Sequence, residues 1–163
     1  MKAKLFLSSV LVLLAISAIA QPEDPALRRE VERFYMEMDK LASRGDCDAI
    51  LATLHPNYVY TDAQGKRMDK AEVRVWLESM KANSRTDKVV TRVRNVRGND
   101  DEVVAWVEMK TTFRMRQGNR WVPMTRTYRF AETHRRTPNG GWVTMMTQEL
   151  PVDEKWSFKT GGG

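Results

Sequence analysis

The period of the apolar residues changes once along this chain, at Asn83, and that change restricts the fold more than any single motif. After it, four segments alternate with period two: "KVVTRVRNVRG", "DEVVAWVEMKTTFRMR", "RWVPMTRTYRFAETHRR" and "GWVTMMTQEL". They are separated only by "GNDD", "QGN" and "TPNGG", whose Gly, Asn and Asp suit tight hairpin turns. Four consecutive antiparallel strands are therefore expected.

Before Asn83 the pattern is mainly helical. Leu27, Val31, Phe34, Tyr35, Met38, Leu41 and Ala42 recur at steps of three and four, giving one apolar stripe over Pro25 to Ala42. Pro25 suits a first helical turn and Gly45 a helix end. Asp46 or Asp48 can cap a short second helix, "AILATL", which His55-Pro56 is expected to stop. "YVYT" reads as a strand turning at "DAQG", and a third helix begins at Asp69. Helices beside consecutive antiparallel strands make an α+β domain, three N-terminal helices packed on one sheet face.

The first twenty residues stand apart from this domain. Lys2 and Lys4 precede an apolar run from Leu5, and Ala18-Ile19-Ala20 supplies a small-x-small cleavage signal. The run is short for a span and contains Ser8, Ser9 and Ser17. Residues 1–20 are thus expected to be a cleaved signal peptide, 21–150 one domain and 151–163 a loose tail. Export to the periplasm or the medium follows, with no membrane span left after cleavage.

Removing 20 of the 163 residues leaves 143, enough for one domain with its own core. The net charge falls from +6 to about +4 once Lys2 and Lys4 are gone, too mild to argue for nucleic acid as a partner. Cys47 is the only cysteine, so no internal disulfide can form. His55 and His134 lie in no metal-ligand spacing, and neither a metal nor another cofactor is expected.

On the third long strand Val122, Met124, Arg126, Tyr128 and Phe130 share one face, expected to meet the helices. Arg126 is the anomaly, because a buried arginine needs a partner. Either it pairs internally with Asp62, Glu149 or Glu132, or it grips a ligand carboxylate or phosphate with its fork. Asp62 has two readings as well: a turn cap over Asp-Ala-Gln-Gly, or a base at a cavity mouth. Trp76 and Tyr128 either pack in the core or line a cavity, and Met38, Met109 and Met146 can supply an adaptable apolar wall. Val103 to Met115 alternate inward on the second long strand, which turns Trp106 outward and suggests a homodimer through the outer sheet face.

The segments "GDCDAILATLHPNYVYTDAQG", "RTYRF" and "GGWVTMMTQEL" resemble the nuclear transport factor 2-like superfamily, the cone-shaped fold of ketosteroid isomerase and SnoaL-like proteins. The resemblance implies a strongly curved, mainly antiparallel sheet under the helices. It also implies a cone-mouth position for Asp62 as catalytic base, and a pocket-facing Gln148. Met38 and Arg126 fall where the isomerase has its two oxyanion donors, and a methionine has no proton to donate. The leading expectation is therefore an exported binder of a small molecule held near Arg126. The alternatives are a lyase or isomerase using Asp62 with Arg126 as oxyanion stabiliser, and an interaction module with a filled cone.

Overall fold

A computed structural model describes residues 23–152. The proposed leader and most of the proposed tail lie outside the described residues. The elements are α1 (Pro25–Arg44), α2 (Cys47–Ala52), β1 (Leu54–Thr61), β2 (Arg67–Asp69), α3 (Lys70–Asn83), β3 (Ser84–Gly98), β4 (Glu102–Gln117), β5 (Arg120–Arg136) and β6 (Trp142–Leu150). The three helices are present, with β1 and β2 between the second and the third.

Each helix starts where its sequence supplies a cap. The Asp24 side chain accepts from the Ala26 amide at α1, and Asp46 from Ala49 at α2. Asp69 and Glu72 form a reciprocal capping box at α3. Gly45 closes α1 in the left-handed region, with φ 64°.

The six strands form one mixed sheet in the order β2-β1-β6-β5-β4-β3. The expected run β3 to β6 is antiparallel throughout. The β1–β6 pairing is parallel, which the hairpin pattern does not reveal. A second difference lies at His55-Pro56. These residues sit inside β1 rather than at a helix end, since α2 stops at Ala52 and the strand begins at Leu54. The β1–β6 register shifts between Leu54 and Val59, which leaves room for a proline that cannot donate to a ladder.

The main core joins α1 to the sheet. Leu27, Val31 and Tyr35 pack on Val93 and Val96 of β3, Val103, Ala105 and Val107 of β4, and Phe130 of β5. A second cluster, Leu51, Leu54, Tyr58 and Val73, ties α2 and α3 to β1. The Asp39 carboxylate fixes α1 over β3 by accepting the Thr91 amide and hydroxyl, each at 2.7 Å.

Candidate functional site

Between the helices and the sheet lies an open cavity of about 530 Å³. That is within the ~300–1,000 Å³ common for small-molecule sites. Its walls are mainly apolar: Phe34 and Met38 from α1, Trp76, Leu77 and Met80 from α3, and Val107, Met109 and Phe113 from β4.

A polar cluster lies at one end, built by cross-strand register. Glu132 on β5 lies opposite Thr147 on β6, and His134 lies opposite Thr144. The Thr147 hydroxyl donates to Glu132 Oε1 at 2.6 Å. The Tyr35 hydroxyl, reaching down from α1, donates to Glu132 Oε2 at 2.6 Å and lies 2.8 Å from His134 Nε2. A phenol has one proton, so with that proton on Glu132 it must accept from His134 Nε2–H. His134 Nδ1 is then left to accept from the Thr144 hydroxyl at 3.2 Å. Tyr58 of β1 borders the same end of the cavity.

Burial sets the protonation of this cluster. His134 is 1% exposed, and desolvation lowers its pKa to about 3, so the ring is neutral at physiological pH. Desolvation also raises the Glu132 pKa, against the lowering effect of the bonds from Thr147 and Tyr35. The Glu132 side chain keeps 16% exposure, and the residue borders the cavity. A carboxyl group has about four lone-pair positions, so two donors leave room for a ligand group.

The residues expected to form a site separate into two sets. Met38, Met109, Tyr128 and Trp76 line the cavity; Asp62, Arg126, Gln148 and Met146 do not. Asp62 Oδ1 accepts the amides of Gln64 at 2.9 Å and Lys66 at 2.8 Å, so the turn-capping reading describes its geometry. The expectation of an inward guanidinium is corrected: Arg126 is exposed, and its hydrogen bond goes to the Tyr128 hydroxyl at 3.4 Å. Among the described residues it forms no ion pair with Asp62, Glu149 or Glu132. The Gln148 amide donates to the Glu149 carbonyl, and Met146 is 44% exposed.

The model of the SnoaL-like domain matches residues 31–145, which takes in the elements bordering the cavity apart from the start of α1 and the end of β6, Thr147 included. The chain belongs to the SnoaL-like domain family. Solved structures of low identity share the fold of this SnoaL-like domain. Aln2 from a Streptomyces species is 14% identical with a TM-score of 0.63, over 82% of this chain and 96% of that one. An NTF2-like protein of unknown function in nutrient uptake from Rhodospirillum rubrum is 22% identical, with a TM-score of 0.58 over 74% and 97%. A ketosteroid isomerase-like protein from Erwinia carotovora atroseptica is 16% identical, with a TM-score of 0.57 over 71% and 88%. At such identities the likeness shows the fold alone. No curated protein matches the chain.

In this SnoaL-like domain Glu132, Thr147 and the tyrosines beside them border the cavity, whereas Asp62 and Arg126 do not. The alternation on β5 carries the signal for two of them. Extended past Phe130, the face that holds Arg126 and Tyr128 also holds Glu132 and His134, an acid and an imidazole directed at the core. Tyr35 and Tyr58 gave no such mark, because a tyrosine at core spacing most often only packs.

Proposed function

We propose that this SnoaL-like domain is an exported binding protein for a small, mostly apolar molecule, with a hydroxyl or carbonyl of the ligand hydrogen-bonded at Glu132. One observation carries the reading: a roomy, largely apolar cavity is bordered by the Glu132 carboxyl group, which keeps unused hydrogen-bonding capacity. Export rests on the leader at residues 1–20. Pairing of two copies through the outer sheet face around Trp106 belongs to the same proposal, and sedimentation equilibrium tests it.

The decisive experiment is native mass spectrometry of the protein purified from its own host. A retained small molecule is expected, and Glu132→Gln should weaken its retention more than Asp62→Asn or Arg126→Met does. No adduct, together with no uptake of apolar compounds by the purified protein, would overturn the proposal.

A second reading is proton-transfer chemistry of the isomerase or lyase kind. It is favoured by a cavity-facing carboxyl whose pKa is raised by burial and whose partner, Tyr35, also touches a neutral imidazole. Glu132 then takes the role first expected of Asp62. Under this reading Glu132→Gln would retain the adduct while abolishing its conversion.

A further inference from the structure

The charges that border the cavity are sorted by sign along its length. Glu132 stands at the inner end, and Asp39 lies part-way out, level with Thr91 of β3. Beyond them the bordering side-chain charges are cations: Arg44 ending α1 and Lys81 near the end of α3, both exposed.

Strand register measures the separation. Glu132 pairs with Ala105 on β4, whereas Thr86, next to the α3–β3 junction that carries Lys81, pairs with Phe113. Eight residues of β4 separate those levels, about 26 Å at ~3.3 Å per residue. Between them Val107, Met109, Thr111 and Phe113 turn to the cavity in succession, forming a slot about 20 Å long.

The mouth cations are not consumed by carboxylates. Among the described residues Arg44 and Lys81 form no ion pair. Arg85, paired with Arg114, turns to the other sheet face, where its guanidinium lies over the Trp121 ring at 4.6 Å. The nearby Asp87 is engaged by Arg114 at 2.7 Å.

Resting on the binding reading above, we propose that the ligand is an elongated organic monoanion. Its anionic group lies between Arg44 and Lys81, and a neutral hydroxyl or carbonyl at its far end meets Glu132. The opposite orientation would bury an anion beside Glu132 and Asp39 with no cation to offset its desolvation. The two cations therefore set both the direction of entry and the preference for negative charge.

The test is fluorescence titration of the mature chain, following the tryptophans, Trp76 at the cavity wall among them. The probes are 16-hydroxyhexadecanoate, hexadecanoate and 1,16-hexadecanediol. At low ionic strength 16-hydroxyhexadecanoate should bind at least about fivefold more tightly than the diol, and added salt should shrink that advantage. It should also bind several-fold more tightly than hexadecanoate, which lacks the far hydroxyl. The Arg44→Ala Lys81→Ala double variant should bind 16-hydroxyhexadecanoate and the diol alike. Equal binding of those two probes by the unaltered protein would overturn the anion preference and leave the cavity reading standing. Survival of the preference in the double variant would overturn the assignment to these cations. No binding of any probe would remove the cavity reading and this inference together.

Discussion

The Tyr35 hydroxyl donates to Glu132 across 97 positions of sequence, and the same oxygen lies against His134. One phenol thus joins α1 to β5 at the closed end of the cavity and serves two buried groups at once. Leaving buried polar groups without a partner costs about 1–3 kcal/mol, more for a charged one. Tyr35→Phe should therefore lower unfolding stability by about 1–3 kcal/mol in urea denaturation. A loss no larger than that of an exposed Tyr→Phe change would show that the cluster does not couple helix to sheet.

His134 should make stability fall on acidification. Its folded pKa of about 3 is below the ordinary 6.5, so the unfolded chain takes up the proton first. The stabilisation is complete above pH 6.5 and is lost as the pH falls toward 3. The full difference is worth about 5 kcal/mol at the low-pH limit. His134→Gln should flatten that part of the stability profile, as followed by denaturation midpoints between pH 4 and 7.

Glu132 should act in the opposite sense. Burial raises its folded pKa above the ordinary 4.5, so its contribution is full below that value and is lost as the pH rises through the folded pKa. Glu132→Gln removes the ionisation. The variant's stability relative to the unaltered protein should then improve as the pH climbs from 4.5. A difference independent of pH would show that Glu132 titrates as it does in the unfolded chain.

Asp62 and Arg126 should behave as residues outside the cavity. Asp62→Ala deletes the acceptor for two turn amides and should cost about 1 kcal/mol, whereas Asp62→Asn, which keeps an oxygen there, should cost less. Arg126→Met should change stability by less than about 0.5 kcal/mol. Loss of a retained ligand in either Asp62→Asn or Arg126→Met would return that residue to the site.

Gly98 holds the β3–β4 turn in a conformation closed to other residues. Its φ is +142°, and an added Cβ would lie 2.2 Å from the Glu102 carbonyl oxygen. Backbone cannot yield as a side-chain tip can, so Gly98→Ala should cost about 2 kcal/mol or more by thermal or urea denaturation. A neutral outcome would mean that the turn has another backbone path.

Much of the architecture is legible locally. The stripe Leu27-Val31-Tyr35 marks the buried face of α1, the Gly45 and Asp69 boundaries are where caps belong, and three short turns fix the order β3 to β6. Such features depend on neighbours within a few residues. The β1–β6 pairing escaped detection because parallel contact between segments some ninety residues apart leaves no turn between them.

On its own, the amino-acid order settled which side of each strand faces the helices, since alternate side chains must point opposite ways. It could not settle how far along that side the cover extends. Arg126 and Glu132 share one face of β5 at a separation of about 20 Å, yet one is exposed and the other is largely covered. Only the docking of α1 across the sheet, with Tyr35 descending onto Glu132, made that choice. Depth in a core is a property of packing between distant segments, and a residue's own neighbours in sequence do not encode it.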